Sequence, residues 1–532
     1  MSSSNGSKES STQSRIDLPL VHWLVLVFII AITFAAFFPV LNNGFVNWDD
    51  DKNILQNPNY RGLGWTNLCW MFTTLHMGHY QPLSWVTFGL DYLLWGMDPF
   101  GYHLTNLLLH AGNAVLFYFV GLRLLRLTFS APTVLADHSL RLASGFAALV
   151  FSIHPLRVES VAWVTERRDV LSGLFFLWTI LCYLKAVEVR ETRSRREWMS
   201  AALTVYFLSL LSKASGITLP LVLLVLDIYP LRRLTGGLRG WFGPEHRRVL
   251  WEKVPFLLFA LWAGIGAGIA QYRSGAVTPF EKHGILARVG QALFGLVIYL
   301  WKTILPLGLS PLYDLTGRVD LVGRTLLLSG ALVLIISIAL FVLRRCWPAG
   351  LAIWVYYVTV LAPVLGIVQS GPQVAADRYT YLSCLGWALL AGAGLLYYWK
   401  LSLRYRKLRP TLIVVNSLAV LVLVALASLT WTQTKVWHDS ENLWRYVLKV
   451  NEQSALAHNN LGNALVDEER LEEAAEQFHQ ALLIDPGFAR AHYNLGVVLT
   501  RQGRSEEAKN HFREALRQIK KNRGIARRES SE

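Results

Sequence analysis

LPLVHWLVLVFIIAITFAAFFPVL, residues 18–41, is the apolar stretch that sets the class of this protein. A membrane-spanning helix needs about 20 mainly apolar residues. This stretch is too long for the apolar part of a signal peptide, and no small-residue cleavage site follows it. We therefore interpret it as an uncleaved first transmembrane helix and expect an integral membrane protein.

Further apolar blocks continue to Thr430, after which the chain becomes highly charged. We predict about eleven spans, at 18–41, 103–122, 142–153, 169–186, 199–212, 215–230, 254–271, 324–343, 350–368, 379–399 and 411–430. The segments 83–97 and 286–305 are also apolar, but Pro and Gly flank both of them. We interpret these two as segments that do not fully cross the membrane.

The distribution of Lys and Arg predicts the orientation. The net charge of +15 would suggest nucleic-acid binding in a soluble protein. Here most of the excess lies in the short loops 185–198, 231–253 and 400–410, where cytoplasmic loops of membrane proteins carry positive charge. We therefore predict no nucleic-acid partner, a cytoplasmic N-terminus and an extracytoplasmic C-terminus.

The C-terminal region contains two copies of one repeat. Residues 455–488 and 489–522 align without gaps at a period of 34. The matched pairs are Leu461 with Leu495, Gly462 with Gly496, Ala474 with Ala508, Phe478 with Phe512, and Ala481 with Ala515. This is the tetratricopeptide (TPR) pattern of paired helices. A peptide-binding or protein-binding groove is one interpretation, and a structural cap or oligomer contact is the other.

The resulting domain prediction has five parts. Residues 1–17 form a disordered cytoplasmic N-terminus, 18–430 the transmembrane domain, and 431–454 a connector with a lone half-repeat helix. Residues 455–522 form the two TPR repeats, and 523–532 a basic disordered tail. About three repeats are normally needed for stability, so we expect the short array to be stabilised by contact with the membrane domain or with a partner.

An acidic cluster follows the first span, in the sequence Phe45-Val46-Asn47-Trp48-Asp49-Asp50-Asp51. A carboxylate at the membrane exit can act as a general base on a hydroxyl group, or it can ligate a divalent cation. The alternative is an ordinary solvated turn.

A polar stripe lies on the second span. His103, Asn106, His110 and Asn113 fall within about 80° of one helix face. Such a stripe faces either neighbouring helices, with hydrogen bonds between them, or a cavity that holds substrate.

Two charged segments lie at the outer ends of later spans. The first, 154–169, carries His154, Glu159, Glu166, Arg167, Arg168 and Asp169. The second, 373–381, carries Asp377, Arg378, Tyr379 and Tyr381. Ionisable groups at membrane helices are costly and tend to mark function. Arginines here are candidates for binding phosphate through paired contacts, whereas snorkelling or structural pairing is the alternative reading.

Taken in order, these motifs resemble the TMTC family (transmembrane and TPR-containing proteins), which are O-mannosyltransferase-like members of the GT-C glycosyltransferase superfamily. The matching segments are Phe45–Asn57, Pro82-Leu83, Gly101–His110, His154–Asp169, Pro306–Asp314 and Ala376–Leu382. Two family stretches differ here, because Glu166-Arg167-Arg168-Asp169 stands where GRAD is usual and Ala376-Asp377-Arg378-Tyr379 where AERY is usual. The short TPR array resembles that of a bacterial relative, which implies the bacterial inner membrane.

The resemblance implies a fold and a reaction. The fold is all-α, with a polytopic GT-C-type transmembrane domain followed by a short TPR α-solenoid. The reaction is protein O-mannosylation, in which a sugar moves from a polyprenyl-phosphate donor in the membrane to a protein hydroxyl, with inversion. No cofactor is certain, the lipid-linked sugar is a substrate, and a divalent metal is possible.

The resemblance also implies roles for the residues noted above. Asp50 or Asp49 is the catalytic base, and Arg378, then Arg167 or Arg168, meet the phosphate. Glu159, Glu166 and Asp169 shape the sugar site, with His103, His110, His154, Tyr379 and Tyr381 as further substrate-binding candidates. Two other classes remain open, namely a non-enzymatic TPR scaffold or assembly factor and a polytopic lipid-glycan polymerase or transporter.

Overall fold

A computed structural model describes residues 6–129, 134–235, 237–241, 243–276, 278, 284–314, 321–367, 371 and 373–529. The described chain is almost entirely helical. Its α-helices are α1 Gly6–Phe37, α2 Trp65–Thr73, α3 Pro82–Trp95, α4 Pro99–Thr128, α5 Val134–Ser152, α6 Val158–Ala162, α7 Arg167–Glu188, α8 Thr192–Ser212, α9 Leu219–Ile228, α10 Gly237–Trp241, α11 Pro244–Trp251, α12 Val254–Arg273, α13 Ile285–Ile304, α14 Arg324–Val342, α15 Pro348–Leu361, α16 Thr380–Ser383, α17 Leu385–Arg404, α18 Thr411–Thr434, α19 Ser440–Val450, α20 Ala455–Asp467, α21 Leu471–Ile484, α22 Ala489–Arg501 and α23 Ser505–Glu529.

Within the described ranges, seven helices are long and apolar enough to cross a membrane. Two bent helix pairs, 137–162 and 377–404, raise that number to nine, and the shorter apolar helices 214–228 and 348–364 add two candidates. The helix α8 is absent from this set because charged residues fill its first two turns. These lengths and compositions fit the predicted polytopic membrane domain.

The helix α13 is long and apolar enough to cross a membrane, whereas the sequence predicts that the segment 286–305 does not fully cross. Near its first end, the guanidinium of Arg288 donates to the carbonyls of Ile367 and Thr278. Near its last end, His154 contacts the carbonyl of Thr303 at 3.1 Å. The predicted topology places the segments 154–169, 272–323 and 369–378 on the outer side, and all three partners lie in or beside them. These contacts favour a helix that lies along the outer side, and the non-crossing interpretation stays a prediction.

The membrane bundle is built around α4. This helix packs against α5 and α7, while α7 packs against α8 and α17 against α5. Close approach is possible where small residues meet: a Cβ at Gly392 of α17 would come within 2.5 Å of the Ala143 carbonyl of α5. A two-stranded antiparallel sheet joins β1 (Tyr313–Asp314) to β2 (Gln373–Ala375).

The C-terminal module is a helical array. The helix α19 is the half-repeat, α20 and α21 form the first full repeat, and α22 and α23 form the second. In each full repeat a phenylalanine ring covers a glycine, Phe478 on Gly462 and Phe512 on Gly496. The predicted architecture, an all-α membrane domain followed by a short TPR solenoid, is confirmed.

Helices extend into both terminal segments, whose predicted disorder stays a prediction. The helix α1 begins at Gly6, inside the segment 1–17 predicted to be disordered. The helix α23 extends to Glu529, beyond the predicted boundary at residue 522. Extending an existing helix fixes fewer torsions per hydrogen bond than starting a new one, so both ends continue a formed helix. Residues 1–5 and 530–532 lie outside the described residues.

Candidate functional site

The acidic loop after α1 is fixed by Asp50, whose side chain is fully buried. One oxygen of the Asp50 carboxylate accepts the backbone N–H of Thr165 at 2.9 Å and the Thr165 hydroxyl at 2.6 Å. The other oxygen accepts the N–H of Val46 at 3.2 Å. Burial nevertheless raises the pKa of Asp50 to about 7, against the opposing effect of these hydrogen bonds. Asp50 therefore anchors the loop, and its oxygens are already occupied.

Asp49 differs from Asp50 in its backbone conformation and in its hydrogen bonding. Its backbone lies in the left-handed region at φ 70°, which is unusual for a residue other than glycine. Its carboxylate is half-buried and makes no hydrogen bond or ion pair with the described residues. Burial raises the pKa of Asp49, while the positive charges of Arg168 and Lys52 act in the opposite direction. The structure thus distinguishes an occupied carboxylate, Asp50, from a free one, Asp49.

A network of buried ion pairs lies at the start of α7, and the charges of Arg168 and Arg378 act on Asp49. Glu166 lies at its centre, with one oxygen 2.6 Å from Arg168 and the other 2.8 Å from the ammonium of Lys213. Lys213 also lies 2.7 Å from Asp169. Burying charged groups is tolerated when they are paired in this way. The network brings the predicted residues Glu166, Arg168 and Asp169 together.

Arg378 joins the same network from the other charged segment. Its guanidinium pairs with Glu159, whose second oxygen accepts the Arg378 backbone N–H at 2.8 Å. Its Nε lies 3.5 Å from Glu166, and its plane lies over the rings of Trp163 and Tyr379. Residues more than 200 positions apart in sequence, Glu159 and Arg378, therefore form one cluster.

This cluster, which we call the charged cluster, contains three cations (Arg168, Lys213 and Arg378) and three carboxylates (Glu159, Glu166 and Asp169). Its formal charge is therefore balanced. The side chain of Lys213 is 20% exposed, whereas those of Arg168 and Arg378 are 8% and 9% exposed. Lys213 is the cation of the cluster that an incoming anion reaches most readily.

Arg167 lies outside the charged cluster. Its guanidinium pairs with Asp91 at 2.6 Å, donates to the Tyr102 carbonyl at 2.7 Å and bonds the side chain of Asn106. The side chain is fully buried and stacks over Phe88. These contacts hold α3, α4 and α7 together.

The polar stripe of α4 makes hydrogen bonds between helices. His110 contacts the Tyr381 hydroxyl and the Ser152 carbonyl, each at 2.8 Å, and Asn113 donates to the same hydroxyl at 2.7 Å. His103 contacts the Gly44 carbonyl at 3.3 Å. These contacts correspond to the bridging interpretation of the stripe.

His154 and Tyr379 have local roles as well. His154 caps the turn after α5, where its ring accepts the Leu156 N–H at 3.2 Å. The Tyr379 hydroxyl accepts from the Gln373 amide at 3.2 Å, and its ring supports Arg378. Of the predicted substrate-binding residues, the structure brings together Glu159, Glu166, Arg168, Asp169, Arg378 and Tyr379, and directs His103, His110, His154, Arg167 and Tyr381 to contacts within the bundle.

Two residues at this site were missed in the sequence. Lys213 lies between the predicted spans 199–212 and 215–230, and a lone lysine between two apolar blocks was the available signal. His79 lies close enough to feel the charges of Arg168 and Lys213. Burial first, and then these two cations, hold the pKa of His79 well below its usual range. A neutral imidazole therefore borders the cluster.

The C-terminal repeats lie against the acidic loop. Gly44 donates its N–H to the His438 carbonyl at 2.8 Å, and Asn47 donates its N–H to the Ser440 hydroxyl at 2.9 Å. Trp48 packs on Trp444 with ring centroids 4.7 Å apart. The repeats and the loop are therefore on the same side of the membrane bundle, whatever the number of spans between them.

The described residues contain no group of three or more His, Cys, Asp or Glu side chains arranged to hold a metal ion. Asp49 and Asp50 do not converge with a third carboxylate or histidine. The donor set that a divalent cation needs is thus not found in the part of the chain that the structure describes.

Comparison with family models identifies the repeats. The model described as "TPR repeat" matches residues 462–503, and the model described as "Tetratricopeptide repeat" matches 489–522. The TPR prediction is confirmed.

Comparison with curated proteins extends the similarity to the membrane domain. Protein O-mannosyl-transferase Tmtc3 of Drosophila melanogaster is 27% identical over 468 residues, which cover 76% of this chain and 48% of that protein. Protein O-mannosyl-transferase TMTC3 of Homo sapiens is 25% identical, covering 87% and 51%, and TMTC4 of Mus musculus is 26% identical, covering 84% and 64%. The predicted resemblance to the TMTC family is confirmed. The chain spans about half the length of the first of these relatives.

Among solved structures, ArnT from Cupriavidus metallidurans, bound to undecaprenyl phosphate, aligns over 88% of this chain and 80% of its own. The sequence identity is 14% and the TM-score 0.38.

Proposed function

We propose that this chain, which resembles the TMTC protein O-mannosyl-transferases over most of its length, is a membrane glycosyltransferase. It moves a sugar, mannose by analogy with those relatives, from a polyprenyl-phosphate donor to a hydroxyl group of an extracytoplasmic protein. The observation that carries the proposal is the Asp49 carboxylate, which makes no hydrogen bond with the described residues and is acted on by the charges of Arg168 and Arg378, at the end of the bundle where the repeats lie.

Asp49 is the proposed general base. A base must present an oxygen that is not already engaged, within reach of the hydroxyl it deprotonates. The Asp49 carboxylate makes no hydrogen bond with the described residues, whereas both oxygens of Asp50 accept hydrogen bonds from Val46 and Thr165. The raised pKa of Asp49 supports the role, because a more basic carboxylate removes a hydroxyl proton more effectively.

The charged cluster is the proposed site of the donor phosphate. Lys213 is the most accessible cation of the cluster, and both Lys213 and Arg168 form ion pairs with Glu166. Because the cluster is balanced, a phosphate enters by taking over part of the contacts that Glu166 and Asp169 make to Lys213. Glu159 and Arg378 remain paired beneath it and keep the cluster in place.

The proposed reaction is a single displacement. The acceptor oxygen attacks the anomeric carbon on the face opposite the phosphate, and the bond between that carbon and the phosphate oxygen breaks. The hydroxyl proton passes to a carboxylate oxygen of Asp49. Polyprenyl phosphate leaves with the bonding electrons, stabilised by Lys213 and Arg168, and the configuration at the anomeric carbon inverts.

The repeats are the proposed holder of the protein acceptor. Their first helices carry a chain of asparagines, in which Asn494 donates to Asn459 at 3.0 Å and to Asn463 at 2.9 Å. The amide of Asn459 donates in turn to the side chain of Asn460. The backbone carbonyl of Asn460 accepts the amide N–H of Asn47, in the acidic loop, at 3.3 Å. An extended peptide that uses these amides thereby approaches Asp49.

The test is transfer of radiolabel from polyprenyl-phosphate mannose to protein, in membranes carrying the wild type or Asp49→Asn. Label with the wild type alone supports the enzyme and its base. Equal label with both overturns the assignment of Asp49. If no label appears, the assay is repeated with glucose and aminoarabinose donors. Inactivity with all three overturns the transferase, and turnover that needs no protein acceptor supports a polymerase or transporter instead.

A further inference from the structure

The half-repeat helix α19 lacks the partner that the two full repeats have. At a spacing of 34, Trp444 of α19 corresponds to Phe478 and Phe512. In the full repeats these rings pack against Gly462 and Gly496 on the first helix of the same repeat. The corresponding position for Trp444 is Ser428, which is exposed on the membrane helix α18. The half-repeat therefore has no first helix of its own.

The acidic loop occupies the position of that missing helix. The Trp444 indole N–H donates to Asn47 Oδ1 at 2.6 Å, and Trp48 packs on the Trp444 ring. Trp444 is fully buried in this arrangement. The first layer of the TPR array is thus made from α19 and the loop at the end of α1, two segments almost 400 residues apart in the chain.

Asn47 carries most of this interface. It donates its backbone N–H to Ser440 and its amide to the Asn460 carbonyl, and it accepts the Trp444 indole N–H. Just upstream, the Asn43 amide donates to the Thr434 carbonyl at 3.1 Å. Together these hydrogen bonds order the backbone just ahead of Asp49.

Asp49 lies between two anchors. Asn47, two residues earlier, is held by the repeats, and Asp50, one residue later, is held by Thr165 of the membrane domain. The left-handed backbone of Asp49 is strained for a residue other than glycine, and it persists only where the surrounding structure enforces it. Removing either anchor allows this residue to relax to an ordinary conformation.

We infer that Trp444 and Asn47 are positioning residues, through which the C-terminal repeats hold Asp49 in its working conformation. The inference rests on the proposed function for its catalytic consequence. It assigns the repeats a part in the chemical step, separate from any contact they make with an acceptor protein.

The experiment compares Trp444→Phe with Trp431→Phe in the full chain. Phenylalanine keeps an aromatic ring in the buried site and removes the N–H donor together with part of the ring volume. Trp431 is a partly exposed indole on α18 that stacks on Phe38, and it provides the same chemical change away from the loop. Asn47→Ala is the second test variant, and Ser440→Ala, which removes a single bond, is the milder one.

Two measurements are made on each variant. The first is backbone amide exchange of residues 44–53, with α7 as an internal reference for global folding. The second is the turnover number with a short hydroxyl-containing peptide, measured alongside the KM for the donor. We expect faster exchange in residues 44–53 and a loss of kcat of about 10- to 100-fold, with the donor KM within about two-fold. The Trp431→Phe variant behaves as the wild type.

Three outcomes decide the inference. Faster loop exchange together with lower kcat supports it. Unchanged exchange and kcat in Trp444→Phe and Asn47→Ala overturn it, and faster exchange with unchanged kcat also overturns the positioning role. If amide exchange in α7 also becomes faster, the fold as a whole is disturbed, and Ser440→Ala then replaces Trp444→Phe and Asn47→Ala as the test variant. A wild type that transfers no sugar overturns the proposed function, while the exchange measurement, which needs no substrate, still decides whether the repeats order the loop.

Discussion

Thr165 donates both its backbone N–H and its hydroxyl to a single carboxylate oxygen of Asp50, at 2.9 Å and 2.6 Å. This double contact joins the loop after α1 to the residues just before α7. It brings Asp49 to the charged cluster, although Glu166 follows Asp49 by more than 100 positions. The two neighbouring carboxylates thereby acquire different tasks, one of fixing the loop and one of facing the site.

The first prediction separates those tasks by removing Asp49. Asp49→Asn keeps the size of the side chain and removes the base, so we expect the rate of sugar transfer to fall by about 10²- to 10⁴-fold. Because the Asp49 carboxylate makes no hydrogen bond with the described residues, we expect the thermal midpoint to stay the same or to rise slightly. Transfer from radiolabelled donor and thermal unfolding in detergent are the two measurements. Wild-type activity in Asp49→Asn would assign the base elsewhere.

The second prediction concerns the stability that Asp50 provides. Burial raises its pKa from the ordinary value of 3.8 to about 7. The folded state therefore favours the protonated carboxyl, which contributes to the free energy of unfolding. This contribution is fully present below about pH 4 and is lost as the pH rises through about 7. Asparagine does not titrate, so the stability advantage of wild type over Asp50→Asn decreases from pH 5 to pH 8. Thermal midpoints across that range measure the slope.

Glu441→Gln is the control for this slope. Burial opposes ionisation of Glu441, but hydrogen bonds from Arg445 and Arg470 outweigh it and lower the pKa. The stability from this group is present above its ordinary pKa and lost only as the pH falls below it. The difference in thermal midpoint between wild type and Glu441→Gln is therefore constant from pH 5 to pH 8. A flat difference for Asp50→Asn would show that burial does not govern its ionisation.

The helices and the repeats could be predicted from the sequence because their signals are local. Apolar blocks of spanning length give the membrane helices, and the 34-residue period with Gly462 and Gly496 gives the TPR module. The termini were less predictable. Residues 6–17 and 523–529 have polar compositions, yet they belong to the same helices, α1 and α23, as the segments next to them, which composition alone does not reveal.

The site was predicted in part. The sequence pointed to both charged segments, and the structure brings Glu159 to Arg378 and Arg168 to Glu166. It could not distinguish Asp49 from Asp50, because the difference lies in a left-handed backbone and in contacts with Thr165. Lys213 was missed for a related reason, since its partners Glu166 and Asp169 come from a different helix.

The third prediction tests Lys213 as the cation that meets the donor phosphate. Lys213→Met removes the charge and keeps much of the apolar stem, whereas Lys213→Arg keeps the charge. We expect Lys213→Met to raise the KM for the donor about 10-fold or more, since a charged hydrogen bond contributes about 1.5–3 kcal/mol, and Lys213→Arg to recover part of it. Initial rates at varied donor concentration measure this. Equal KM values in wild type and Lys213→Met would remove Lys213 from the donor site.

The fourth prediction uses the charges around Asp49 to shift the pH dependence of transfer. Arg168, Lys52, Asp51 and Arg378 all act on this carboxylate, and burial keeps its pKa raised. A general base works in its ionised form, so the rate falls as the pH drops through the pKa of Asp49. The acid limb of the profile of kcat/KM against pH therefore lies above the range of an ordinary aspartate.

Substitutions of Lys52 and Asp51 move the acid limb of the pH profile in opposite directions. The positive charge of the exposed Lys52 lowers the pKa of Asp49, and the negative charge of Asp51 raises it. Lys52→Met therefore moves the acid limb to higher pH, and Asp51→Asn moves it to lower pH. Lys449→Met removes a lysine that does not act on Asp49 and leaves the limb in place. If Lys52→Met and Asp51→Asn moved the limb in the same direction, or neither moved it, the titrating group would not be Asp49.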